Sequence, residues 1–234
     1  RLNEACKAGV KRGVLVSSVA VHRYSGFREA DAERLPRDND DLPYAISKRR
    51  AEDLVLAWPG EGVVVRPGLW PFGPRDPQLQ RVMAALRSGT LPLVAGGRHV
   101  LNTAYVGNLA QGLELALSAR DAPGRPLVIA DAGMPSWREV FSELARLLDV
   151  PEPRLDLPVP VAMAAGTAVE RTWGALRPGR EPPLTRYRAT LMAADVHFSL
   201  EPARRTLGFE PAVSWQEGLR RSVKGTSGVK MGPA

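Results

Sequence analysis

Residues 43–68 read PYAISKRRAEDLVLAWPGEGVVVRPG and predict a helix followed by a buried strand. Pro43 suits the first turn of a helix, and Pro59-Gly60 stops the helix before the strand begins. The β-branched run at 63–65 lacks alternating polar residues. That pattern is typical of a strand covered by helices on both faces, as in a parallel sheet.

The rest of the chain continues the alternation of strands and helices. A second apolar strand is predicted at 14–18, and Asp40 or Asp41 is expected to cap the helix that follows. Further helices are predicted at 2–8, 78–87, 106–119, 137–148 (capped by Ser136), 204–207 and 215–223, and extended segments at 91–94, 100–103 and 126–130. This order indicates an α/β fold with a parallel sheet.

Tyr44 and Lys48 form the pattern with the clearest chemistry. Residues at i and i+4 share one face of a helix, so the phenol and the ammonium are expected to meet. A free phenol titrates near pH ~10, and a neighbouring cation moves that value towards neutrality, where acid/base catalysis is efficient. The hydroxyl of Ser18, upstream at the end of the first strand, could then hold a substrate oxygen.

The ordered series Ser18, Tyr44 and Lys48 resembles the catalytic set of the short-chain dehydrogenase/reductase superfamily. Flanking stretches resemble its extended, epimerase-like branch: the strand at 14–18, YAISKRRAE at 44–52 and VVVRPG at 63–68. Towards the C-terminus, EPPLT at 181–185 and ARRTLGFEP at 203–211 are most similar to bacterial relatives of 3β-hydroxysteroid dehydrogenase/isomerase. The resemblance runs from residue 1 to about residue 223.

The resemblance implies the C-terminal part of a doubly wound (Rossmann) parallel sheet together with a small α/β substrate domain. Residues 1–68 would form the C-terminal half of the dinucleotide-binding domain and carry the catalytic residues. Residues 69–223 would form the substrate-binding region, with about 105–135 returning to the sheet, and 224–234 would be a tail.

The same resemblance assigns the site residues. Ser18, Tyr44 and Lys48 would be catalytic, and the cofactor would be NAD or NADP. Lys48 would hold the nicotinamide ribose, and the backbone at Pro67 and Gly68 would face the carboxamide. The full set of predicted cofactor contacts is Ser17, Tyr44, Lys48, Arg66, Pro67 and Gly68.

A glycine-rich turn of the form GxxGxxG is missing from these 234 residues. Family members hold the cofactor pyrophosphate with that turn and the helix after it. The sequence opens with Arg1, inside a predicted helix. We therefore expect that roughly a hundred N-terminal residues of an ordinary member are absent.

Three aromatic side chains near the predicted site bear on the substrate. His22 follows the serine pair, and Trp70 and Phe72 follow Gly68. His22 would contact the substrate at the lip of the pocket. Trp70 and Phe72 would favour an apolar small-molecule substrate, steroid-like or 3-oxo acyl, that is interconverted between secondary alcohol and ketone. Core packing of Trp70 and Phe72 is an equal alternative. Two rival functions stay open: a nucleotide-sugar epimerase or dehydratase, and a non-catalytic NAD(P)-fold binding protein or inactive fragment.

Composition excludes several other classes of protein. The net charge is +7, but arginines are scattered along the chain without interleaved aromatics, which argues against nucleic-acid binding. One cysteine excludes an internal disulfide and fits the cytoplasm, and three dispersed histidines predict no metal site.

Segment 157–169 is the longest apolar stretch, and it is too short and too rich in proline to span a bilayer. It predicts an amphipathic helix through Ala162, Ala165, Val169 and Trp173. Such a helix packs on its own domain or, alternatively, contacts a membrane surface or an apolar substrate.

Helices 1–8 and 44–57 correspond to a pair that many family members dock against a twin subunit. The resemblance therefore implies that the full-length protein is a homodimer, with Val55 and Leu56 or their neighbours at the seam.

Overall fold

A computed structural model describes residues 2–176 and 185–227. Its helices are α1 (Leu2–Lys7), α2 (Pro43–Leu56), α3 (Pro77–Arg87), α4 (Val106–Ser118), α5 (Trp137–Leu148), α6 (Val159–Leu176), α7 (Arg186–Met192), α8 (Glu201–Leu207) and α9 (Trp215–Ser227). Its strands are β1 (Arg12–Val16), β2 (Phe27–Ala30), β3 (Glu61–Pro67), β4 (Trp70–Phe72), β5 (Leu93–Val94), β6 (Thr103–Tyr105), β7 (Pro126–Ile129), β8 (Asp156–Leu157) and β9 (Val196–Phe198). Most of the motif at 181–185 lies outside the described residues, as does the side chain of Trp173.

The main sheet is parallel, with the strand order β1-β3-β7. Val14 of β1 pairs with Val63 of β3, and Val65 of β3 pairs with Leu127 of β7. Three short pairs, β2–β9, β4–β6 and β5–β8, are parallel as well. The predicted α/β fold with a parallel sheet is confirmed.

Helices cover both faces of β3, which explains the apolar run at 63–65. Val63 and Val65 pack with Leu127 and with Ala116 of α4. Because neighbouring side chains in a strand point to opposite faces, Arg66 points the other way, and there it bonds to Glu52 of α2.

A second apolar core lies beyond β3, around α3 and α5. Its large side chains are Trp70, Phe72, Trp137 and Phe141. The centroids of neighbouring rings in this group lie 5.6–6.2 Å apart. Helix α5 begins with the capping box of Ser136 and Glu139, so the predicted Ser136 cap is confirmed.

The predicted cap of α2 is wrong. Leu42 occupies the N-cap position and makes no side-chain capping bond. The two nearby carboxylates are bound elsewhere, Asp40 to Arg49 at 2.6 Å and Asp41 to Arg23 at 3.1 Å. Because the helix begins at Pro43, neither aspartate occupies the N-cap position.

Two predicted boundaries shift. The extended segment expected at 100–103 becomes β6 at Thr103–Tyr105, because this segment pairs with β4. Helix α9 continues to Ser227, so the first part of the predicted tail is helical, and 228–234 lie outside the described residues.

Candidate active site

The serine pair lies at the carboxyl end of β1. Ser18 caps a short 3₁₀ turn at Val19–Val21, and its Oγ accepts a hydrogen bond from the Ala20 amide at 3.1 Å. The side chain is only partly buried, so the hydroxyl can also donate to a ligand. Ligands of parallel α/β sheets bind beyond the carboxyl ends of the strands, which is where Ser18 stands.

Tyr44 and Lys48 come together on α2. Lys48 Nζ lies 5.7 Å from the centre of the Tyr44 ring, within the range of a cation–π contact, and donates to the Val16 carbonyl at 2.9 Å. Tyr44 is 49% exposed. The Lys48 ammonium is thus held between the end of β1 and the accessible Tyr44 phenol, as the i, i+4 spacing predicts. The catalytic roles of Tyr44 and Lys48 stay predictions.

Gly68 closes the site at the carboxyl end of β3. Its amide donates to the Ile129 carbonyl at 2.9 Å. A Cβ at this position would lie 2.9 Å from Cβ of Asn102 and 3.0 Å from Cβ of Ala130, closer than ordinary contacts. Only glycine therefore lets the chain pass here, and the predicted contact of this backbone with a cofactor stays a prediction.

Glu52 is the centre of a buried polar network beneath these residues. Its carboxylate accepts hydrogen bonds from Ser17 Oγ at 2.6 Å, from Arg66 Nε and Nη2 at 2.8 and 2.7 Å, and from Arg37 Nη1 at 3.2 Å. Burial raises the pKa of the Glu52 carboxyl, but the bonds and charge of Arg66, with the bonds of Ser17 and Arg37, outweigh burial and leave the pKa below its usual value.

This network changes the interpretation of two predicted cofactor contacts. The Ser17 and Arg66 side chains are buried and committed to Glu52, which leaves only their backbone for a cofactor. Sequence reasoning gave Glu52 and Arg37 no role. A signal existed for Glu52, because it lies one turn beyond Lys48 and so on the same face of α2.

His22 lies inside the same network. Its Nδ1 is 2.9 Å from the Pro36 carbonyl oxygen and its Nε2 is 2.9 Å from Arg66 Nη1. Because the guanidinium can only donate, Nε2 accepts and Nδ1 carries the proton. Burial and then the Arg66 charge lower the pKa of His22 to about 4. The ring is 1% exposed, so the predicted substrate contact would require the ring to be uncovered.

Acid should weaken the protein through His22. Because its folded-state pKa of about 4 lies below the usual 6.5, the unfolded state binds more protons between these values, and stability falls as the pH falls. When the pH falls from 7 to 5, we expect the free energy of unfolding of the unmodified protein to decrease by about 2 kcal/mol more than that of His22→Asn. Urea unfolding of both proteins at the two pH values measures this difference, and a constant difference would show that the ring is not held neutral.

Two tyrosines beside Tyr44 escaped the sequence analysis. The hydroxyls of Tyr24 and of Tyr187 on α7 lie 3.4 Å apart. The pKa of Tyr24 is raised by burial first, then by the Tyr187 hydroxyl and to a smaller degree by Tyr44. The pKa of Tyr187 is raised by burial and by Tyr44. Both stay protonated and can donate hydrogen bonds next to the candidate acid/base. Their positions in the sequence, 163 residues apart, carry no signal of this contact.

Trp70 and Phe72 are packed in the core, 1% and 2% exposed. Trp70 also borders a cavity of about 550 Å³ between α3, α5 and α7, whereas Phe72 is not among its lining residues. Ser18, Tyr44 and Lys48 do not line this cavity either. Trp70 thus lines an apolar cavity, but Phe72 and segment 157–169 do not, and the substrate contacts of Trp70 and Phe72 stay predictions.

Within residues 2–176 and 185–227, no three His, Cys, Asp or Glu side chains are grouped so that they could hold a metal ion. No described helix is both long and apolar enough to cross a membrane.

Comparison with known proteins places the chain in a family. The model of the NAD dependent epimerase/dehydratase family matches residues 1–130, more than half of the chain. The chain belongs to this family.

A 2-alkyl-3-oxoalkanoate reductase of Stenotrophomonas maltophilia is 36% identical over 93% of the chain. A quinoline-oxide ketoreductase of Stigmatella aurantiaca is 34% identical over 75%, and the human sterol-4-alpha-carboxylate 3-dehydrogenase is 28% identical over 94%. The chain spans 69%, 53% and 63% of these relatives' lengths.

A solved structure supports the fold. The UDP-glucuronic acid 4-epimerase from Bacillus cereus in complex with NAD matches 96% of this chain and 64% of its own, with a TM-score of 0.70 and 17% identity. The Rossmann-type α/β fold expected from the resemblance is confirmed, and so is the membership in the epimerase/dehydratase branch.

The residues of this family member fit one end of an NAD molecule. An ammonium, a phenol and a serine hydroxyl lie near the carboxyl end of β1, with the Gly68 turn at the end of the adjacent strand. Lys48 and Tyr44 could hold the ribose hydroxyls, and the backbone at Pro67 and Gly68 the carboxamide. A glycine-rich pyrophosphate turn is not in this sequence.

Proposed function

We propose that the protein is an NAD(P)-dependent oxidoreductase that interconverts a secondary alcohol and a ketone on an apolar substrate, steroid-like or 3-oxo acyl. The observation that carries the proposal is the exposed Tyr44 phenol with the Lys48 ammonium over its ring, beside the carboxyl end of β1. The reductase and dehydrogenase names of the similar curated proteins support it.

Each residue has one task in this proposal. A nicotinamide cofactor, when bound, would supply the hydride chemistry. Ser18 Oγ orients the substrate oxygen by a hydrogen bond, and the Tyr44 phenol gives a proton to that oxygen in reduction and takes it in oxidation. Lys48 stabilises the phenolate, while its bond to the Val16 carbonyl fixes the direction of the ammonium.

A nucleotide-sugar epimerase or dehydratase is the second candidate, because the B. cereus epimerase shares the fold. A substrate panel separates the two. With hydroxysteroids, 3-hydroxy acyl compounds and UDP-sugars at equal concentration, we expect turnover to rise with the size of the apolar body, because each buried methylene contributes only about 0.8 kcal/mol. Turnover confined to the UDP-sugars would reverse the assignment. No turnover with any of the substrates, measured on a protein that includes a glycine-rich pyrophosphate turn, would favour a binding protein.

We further propose a homodimer through α1 and α2. Leu54 of α2 is 65% exposed, whereas Val55, predicted at the seam, is 9% exposed and packs beside Gly62 of β3. We therefore place Leu54, rather than Val55, at the centre of the dimer interface. The substitution Leu54→Glu should turn the dimer into a monomer. Light scattering measures the mass, and Leu117→Glu, at a similarly exposed leucine on α4, is the matched control. A concentration-independent monomer mass for the unmodified protein would refute the dimer.

A further inference from the structure

The cavity of about 550 Å³ between α3, α5 and α7 has an apolar floor. Trp70, Trp137, Phe141, Leu191 and Met192 line it, and each of these side chains is less than a tenth exposed. The two indole rings stand 5.9 Å apart. The volume lies within the range of about 300–1,000 Å³ that is usual for small-molecule sites.

The mouth of the cavity is polar and cationic. Arg81, Ser88 and Thr90 are exposed there, and Arg188 of α7 is partly buried beside them. A ligand with an anionic group at the mouth and an apolar body on the floor would match this distribution of charge.

The cavity adjoins the catalytic side of the fold through α7. Tyr187, which meets Tyr24 near Tyr44, lies one helical turn before Leu191, which lines the cavity. On the floor, Trp70 is two residues beyond the Gly68 turn. A long ligand could therefore extend from the catalytic edge of β3 into this space.

We propose that this cavity binds the alkyl chain of a single-chain anionic amphiphile, a long-chain fatty acyl compound, with its anionic group at Arg81 and Arg188. The inference rests on the proposed function only in taking this amphiphile as the substrate. The floor of the cavity suits an alkyl chain better than a nucleotide. A base and its sugar need polar partners, whereas the floor offers three aromatic rings and two aliphatic side chains.

The first test is a chain-length series in the absence of cofactor. Octanoate, decanoate, dodecanoate and tetradecanoate are titrated into the 234-residue chain by calorimetry, with tryptophan emission as a second signal because Trp70 and Trp137 line the cavity. The affinity is expected to rise about three- to fourfold for each added methylene, since each buried methylene contributes about 0.8 kcal/mol. An affinity that does not depend on chain length would overturn the proposal.

Variants then locate the binding. Ala84→Trp places an indole at the exposed edge of the cavity and should weaken tetradecanoate at least tenfold. Ala110→Trp, at an exposed alanine of α4 outside the cavity, is the matched control and should change nothing. Equal losses in both variants, or none in Ala84→Trp, would place the ligand elsewhere.

The head group and the rival ligand complete the test. Arg81→Gln should weaken dodecanoate several-fold and leave dodecanol unchanged; an equal effect on both would remove the anion from the proposal. Displacement of tetradecanoate by UDP at a lower concentration than by palmitate would make the cavity a nucleotide site. Because no step uses turnover, a failure here leaves the oxidoreductase proposal intact, and a loss of turnover in Tyr44 variants leaves this binding intact.

Discussion

Replacing Tyr44 by phenylalanine is expected to lower kcat by about 10²–10⁴-fold in the active protein, the usual contribution of a positioned acid or base. The substitution removes the hydroxyl that moves the proton, but it keeps the ring under the Lys48 ammonium and the Lys48 bond to the Val16 carbonyl. Cofactor affinity should therefore change little, and the loss should appear in kcat rather than in the dissociation constant of NAD.

Steady-state kinetics and a cofactor titration on the same preparation measure both quantities. Tyr105→Phe is the matched control, since Tyr105 lies in the core at the N-cap of α4, and its activity should stay near that of the unmodified protein. If Tyr44→Phe keeps more than about a tenth of the activity, a barrier change below roughly 1.4 kcal/mol, Tyr44 is not the acid/base.

Replacing Glu52 by glutamine should lower the free energy of unfolding by about 3–5 kcal/mol, because the Arg66 guanidinium would be left buried without its counter-charge. Glu52 is 0% and Arg66 1% exposed. His22 cannot compensate, because it accepts from Arg66 as a neutral ring. Against a typical total of about 5–15 kcal/mol, such a loss brings the protein close to unfolding at ordinary temperature.

Urea unfolding gives the change directly, provided that the dependence on denaturant keeps its slope. The control is Glu61→Gln, which breaks an ion pair of Arg12 whose glutamate side chain is half exposed, and it should cost about 1 kcal/mol or less. The double variant Glu52→Leu/Arg66→Met removes both charges and should be much more stable than the sum of the single losses predicts. Strict additivity would mean that Glu52 and Arg66 do not stabilise each other.

The same network lies directly behind the candidate catalytic residues. Ser17 is bonded to Glu52 and precedes Ser18, and Glu52 follows Lys48 by one helical turn. The carboxylate therefore ties α2 to β1 and β3 at the level of the candidate catalytic residues. Its burial and its multiple hydrogen bonds make it a rigid support for the relative positions of Ser18, Tyr44 and Lys48.

Local features of the chain were determined by the sequence itself. Pro43 and Pro59-Gly60 predict α2 to within a residue or two at each end, and the i, i+4 spacing predicts the meeting of Tyr44 and Lys48. The uniform apolarity at 63–65 predicts a strand covered on both faces. These signals are readable because they depend on turns of helix and on strand periodicity within a few neighbouring residues.

Only the tertiary structure decided which side chains stand behind the site and what surrounds it. Glu52 joins Ser17 across 35 residues and Arg66 across 14, His22 joins Arg66 across 44, and Tyr24 joins Tyr187 across 163. The sequence likewise leaves open whether Trp70 is core or pocket wall, and it is both. Contacts of this kind depend on how helices pack against a sheet, and no periodicity in a single sequence encodes the partner of a polar side chain that is buried by distant segments.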